Sequence, residues 1–104
     1  MLLLQYRAPM LSAVLPGPAP YDPAAHGEIV LLTTPGCVHC ARAERYLARH
    51  GFPYREQDVG DRAGGALLAG SGAVGVPVLL VGDETVQGFD PLRIRAALNR
   101  AASR

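Results

Sequence analysis

Cys37 and Cys40 are the only cysteines in the chain, and they form a C-x-x-C pair inside TPGCVHC, residues 34–40. On a helix, residues i and i+3 face the same side with Cβ atoms about 5–6 Å apart. A modest rotamer change then brings two sulfurs to bonding distance. Such a pair opens and closes without large backbone motion, which is what dithiol–disulfide exchange requires. A cysteine at the start of a helix also meets unpaired N–H groups and the positive end of the dipole, and both favour a thiolate nucleophile. Two other readings of the pair stay open. A zinc site needs four ligands. Besides the cysteines only His26, His39 and His50 are available. His39 lies between the cysteines and points away from a shared metal, and the other two lack a second paired spacing. Two inert buried cysteines are the third reading.

The flanking residues predict how the pair is held. Glu28–Thr33 (EIVLLT) is a short apolar, β-branched run that reads as a buried strand. Thr34, Pro35 and Gly36 break it. Val38–His50 reads as a helix of good formers, with Cys40, Ala43 and Leu47 on one face. Arg45, Arg49 and His50 suit its C-terminal half, and Gly51 is placed to stop it. Pro53–Val59 predicts a half-exposed strand. Asp61–Ser71 predicts a short helix capped by Asp61 and weakened by Gly64 and Gly65. Val76–Val81 (VPVLLV) is the second strong strand, with Pro77 near its start because proline cannot donate to a ladder. Gly82-Asp83-Glu84 turns into a short strand over Thr85–Gln87. Asp90-Pro91 opens a last helix running to Ala102, with Ile94, Ala97, Leu98 and Ala101 as its apolar stripe. The order β-α-β-α-β-β-α predicts an α/β fold in which three helices flank a four-stranded mixed sheet.

Composition narrows the function classes. The chain has 104 residues, enough for one domain, with 49% hydrophobic and 18% charged residues. Ten Arg against nine acidic residues give a net charge of +1, which argues against a nucleic-acid partner. No apolar run reaches the ~18 residues of a membrane span, which predicts a soluble chain. Residues 1–27 hold five of the nine prolines and read as an extension before a domain at 28–104. The leading MLLLQYR makes a poor secretory signal, because no basic residue precedes its apolar run and Gln5 ends it. Met10 offers an alternative start. A reversible thiol pair suits a reducing cytoplasm.

Across about residues 28–100 the chain resembles the glutaredoxin family of the thioredoxin fold, on TPGCVHC, GVPVLLV at 75–81 and GFDPLRI at 88–94, in that order. Among glutaredoxin-like proteins it is most similar to the NrdH-type redoxins. The resemblance implies a thiol–disulfide oxidoreductase in which Cys37 attacks and Cys40 resolves. It implies a cis Pro77 and places substrate contacts at Val76, Pro77, Thr34, His39, Gly88 and Phe89. It also implies a monomer that needs no metal or organic cofactor. Electrons would come from a thioredoxin reductase, or from glutathione if the chain works as a glutathione-dependent glutaredoxin. The acceptors would be protein disulfides, ribonucleotide reductase among them. A non-catalytic zinc or iron–sulfur module is the alternative from another class.

The chain departs from the family pattern. Many glutaredoxins carry Lys at the Thr34 position, Tyr at His39, Thr at Gly75 and Gly-Gly at Gln87-Gly88, and use them to hold glutathione. Most are missing here, which argues against a dedicated glutathione pocket. NrdH-type redoxins also usually carry Lys at the Thr34 position. His39, when protonated, would favour the thiolate of Cys37 and make the pair a better oxidant, as does the His of the DsbA-type oxidants. No carboxylate follows Glu28 in the strand EIVLLT, so the Cys40 proton is expected to pass to water.

Overall fold

The structure is a computed structural model that describes residues 21–103. Its centre is β1, Ile29–Thr33, in which all five residues are buried. Alternate side chains leave opposite faces of a strand, so β1 needs cover on both. Ile29 and Leu31 enter a core with Leu47, Ile94 and Leu98, while Val30 and Leu32 join a second cluster with Val78, against which Leu67 and Leu68 pack. Full burial of each such aliphatic side chain contributes about 1.5–3 kcal/mol.

The sheet has the order β2-β1-β3-β4, with β2 Arg55–Asp58, β3 Val78–Val81 and β4 Glu84–Gln87. β2 runs parallel to β1, while β3 runs antiparallel to both β1 and β4. Among the described residues four helices accompany the sheet: α1 Pro23–His26, α2 Val38–Arg49, α3 Arg62–Ser71 and α4 Pro91–Ala102. The three long ones are those expected, and this is the four-stranded mixed α/β sheet of the thioredoxin-like fold. Cys40, Ala43 and Leu47 form the buried stripe of α2, and Ile94, Ala97, Leu98 and Ala101 that of α4. Asp90 caps α4 by accepting from the amides of Leu92 at 3.2 Å and Arg93 at 3.3 Å.

Several local expectations need correction. β3 starts at Val78 and not at Val76, since Pro77, whose bond to Val76 is cis, has no N–H to give the ladder. β2 is limited to Arg55–Asp58, inside the expected 53–59. Asp61 sits at the N-cap of α3, yet its side chain makes no capping bond. Gly64 is buried because α3 crosses the end of β2 there. A Cβ at this position would run into the carbonyl of Asp58.

Tyr21, which precedes the expected boundary at Glu28, packs with the described unit. Tyr21 is buried in the main core and its hydroxyl donates to the Gly27 carbonyl at 2.7 Å. Its ring meets Phe52 edge-on at 5.7 Å. Asp22 caps α1 by accepting from the Ala24 amide at 3.0 Å. The rest of the Pro-rich extension, including Met10, lies outside the described residues. Among the described residues no helix is long and apolar enough to cross a membrane.

Candidate dithiol site

Gly36, with φ +78°, closes the turn after β1, and Cys37 becomes the N-cap of α2. Cys37 keeps extended backbone angles, so its side chain folds back over the first turn. Its Sγ accepts from the Cys40 amide at 3.1 Å, where an N-cap oxygen usually stands. Both cysteines are free thiols; Cys37 is half-buried and Cys40 is only 2% exposed. An external disulfide can therefore reach the first sulfur and not the second. Burial, then a hydrogen bond with Cys37, pushes the Cys40 thiol up to about 11, with the Thr34 backbone opposing. The first sulfur is thus placed for attack while the second holds its proton.

The sheet register gathers the other expected residues at the same end of the molecule. Leu32 pairs with Val78, which puts Pro77 alongside the end of β1, where the Thr34–Gly36 turn begins. Val78 pairs with Gln87, and the Gly88 amide donates to the Pro77 carbonyl at 2.8 Å. The cis Val76–Pro77 bond, Gly88 and Phe89 therefore share the sheet end occupied by the cysteines. Phe89 is half-buried against the main core, edge-on to Tyr46 at 6.2 Å. His39 is exposed.

A cleft of about 740 Å³ opens beside the cysteines, lined by Thr34, Cys37 and Cys40 among others. Of the expected site residues, His39, Val76, Pro77, Gly88 and Phe89 stand outside its lining. Its charged groups are all acidic: Glu44, Glu56, Asp58 and Asp61. Glu44 is held above the usual carboxylate range, first by burial and then by a hydrogen bond and repulsion from Glu56, with Arg45 opposing. Glu56 accepts from the Thr33 hydroxyl at 2.8 Å. Tyr54 is pushed up by burial and by the charges of both.

Sequence reasoning missed this acid pair. β1 itself carries no carboxylate, and the nearby acids come from α2 and β2. Glu44 was readable, since it follows Cys40 by one helical turn. Glu56 was not, because its position depends on the pairing of Leu31 with Glu56 across the sheet. Among the described residues no cluster of His, Cys, Asp and Glu is arranged to hold a metal ion.

Comparison with known proteins agrees with this geometry. Residues 29–86 match the glutaredoxin family model. The chain belongs to the glutaredoxin family. A crystal structure of a thioredoxin-like protein is 25% identical, covering 67% of this chain and 99% of that one, with a TM-score of 0.61. The NrdH-redoxin of Escherichia coli, described as a glutaredoxin-like protein with a thioredoxin-like activity profile, is 28% identical over 66% of this chain and 92% of its own, with a TM-score of 0.60. The glutaredoxin of Brucella melitensis is 29% identical over 73% of this chain and 85% of its own, with a TM-score of 0.53. No curated protein matches. A C-x-x-C pair in this family and fold makes the chain a dithiol redox protein with thiol–disulfide oxidoreductase activity.

Proposed function

We propose that this glutaredoxin-family dithiol reduces protein disulfides in the cytoplasm as a monomer, with electrons drawn from a thioredoxin reductase. The observation that carries the reading is the asymmetry of the pair, with Cys37 accessible at the N-cap of α2 and Cys40 buried one turn on. The Cys37 thiolate attacks a substrate disulfide and forms a mixed disulfide. Cys40 then attacks Cys37, and the substrate leaves reduced. Backbone groups at Val76, beside the cis Pro77, together with Thr34, His39, Gly88 and Phe89, position the incoming polypeptide.

The cleft argues for a thioredoxin reductase over glutathione as electron donor. Glutathione brings two carboxylates, and the charged groups lining the cleft are all acidic. Like charges at short range disfavour binding. By resemblance, ribonucleotide reductase is a candidate acceptor. The test compares turnover on a protein disulfide using NADPH with thioredoxin reductase, and using glutathione with glutathione reductase. Faster turnover with the first supports the reading; preference for glutathione would replace it with a glutathione-dependent glutaredoxin.

A further inference from the structure

The buried Cys40 thiol has to lose a proton before it can resolve a mixed disulfide. Burial, the largest cause of its raised value, persists in the mixed disulfide, so the Cys40 thiolate is scarce at neutral pH. Thiolate and not thiol is the nucleophile, so a base beside Cys40 would set the rate of the second step.

We infer that Glu44, paired with Glu56, takes the Cys40 proton as the mixed disulfide resolves. This rests on the dithiol mechanism above and adds to it. Glu44 lies one helical turn beyond Cys40 on α2, and both line the same cleft. Glu56 reaches it from β2, held by the Thr33 hydroxyl. Two carboxyls that share a hydrogen bond do not both ionise freely, so the pair retains a proton to higher pH than either alone. A carboxyl whose proton affinity moves toward neutrality is a better general base at neutral pH. The other titratable groups that line the cleft or interact with Glu44 are Cys37 and Arg45 on α2, Tyr54 before β2, Asp58 at its end and Asp61 before α3. Of these only Arg45 is a cation, and it lowers the proton affinity of Glu44.

The step balances within the protein and its substrate. The Cys40 proton moves to the Glu44 carboxylate, through one water where direct contact is lacking. The Cys40 sulfur bonds to Cys37 Sγ as the bond from Cys37 to the substrate sulfur breaks. The substrate thiolate departs with that electron pair and recovers the proton from Glu44. The two protein thiols are oxidised by two electrons, and the substrate disulfide is reduced by two.

The test is stopped-flow reaction of the full chain with dithiobis-nitrobenzoate, whose released thiolate is coloured and leaves without a proton. Attack by Cys37 releases the first nitrothiobenzoate; resolution by Cys40 releases the second. Rates are read from about pH 5 to about pH 9, spanning the raised carboxyl. Glu44→Gln should slow the second phase about tenfold or more at neutral pH and leave it rising only with alkaline pH. The first phase should not slow, since Cys37 draws on no base at Glu44 and the loss of one negative charge can only ease approach of this dicarboxylate probe. Glu56→Gln should move the carboxyl limb of the second phase to lower pH, a shift that a purely structural role would not produce. An unchanged second-phase profile in Glu44→Gln overturns the inference while leaving the dithiol reading intact. So does a faster second phase, since Glu44 would then act only as a charge suppressing the Cys40 thiolate. A wild-type chain with no second phase overturns the dithiol reading and this inference together.

Discussion

The amide of Cys40 donates to the Sγ of Cys37 at 3.1 Å. The residue assigned to resolve the mixed disulfide thereby steadies, through its backbone, the sulfur assigned to form it. The contact also fixes where that sulfur stands over the first turn of α2.

Removing the second sulfur should stop the cycle halfway. Cys40→Ser keeps the Cys40 amide and therefore the contact to Cys37. It should accumulate a mixed disulfide with protein substrates, seen as a covalent adduct by mass spectrometry without reductant. Cys37→Ser should form none.

Alkaline stability should depend on redox state. The unfolded Cys40 loses its proton around its ordinary value of 9.0, while the folded thiol keeps it to about 11. Between those values the native state binds more protons than the unfolded state, so stability falls as pH rises. The contribution is fully present below about 9 and lost through about 11. Urea midpoints of the reduced chain should drop across that window. The oxidised chain, which has no Cys40 proton, should not show this component.

The glycines of α3 should respond in opposite directions to alanine. Gly64→Ala places a methyl against the Asp58 backbone and should cost about 1–3 kcal/mol in urea unfolding. At Gly70 nothing lies within 4 Å of the added Cβ, and Ala there should stabilise by about 0.4–1 kcal/mol.

Tyr21 should behave as a core residue although it precedes the first strand. Tyr21→Ala should destabilise by about 3 kcal/mol. Tyr21→Phe, which loses the 2.7 Å bond to the Gly27 carbonyl, should cost about 0.5–1.5 kcal/mol. Thermal unfolding checks both.

The sequence was most informative where a local pattern matched its period. The EIVLLT run, the Cys40–Ala43–Leu47 stripe and the Asp90-Pro91 start all recur as β1, α2 and α4. It was silent where a residue's role depends on a distant neighbour. Gly64 read as a weak helix position because the Asp58 carbonyl it makes room for belongs to another element. Tyr21 sat in a Pro-rich stretch, and its place in the core rests on residues distant in sequence, Phe52 among them. Glu56 looked like one more polar residue of a half-exposed strand until the parallel register brought it to the cleft. The cysteine pair was legible because its geometry is set within one helical turn, whereas the acids beside it are assembled across the sheet.

The central claim is that Cys37 and Cys40 form one reversible two-electron couple. It is tested most directly by equilibrating the chain in graded dithiothreitol redox buffers and counting free thiols. The account predicts that both thiols disappear together along a single two-electron curve, reached from either direction and abolished by Cys37→Ser. Thiols that stay free across the whole range, or that oxidise independently, would contradict it.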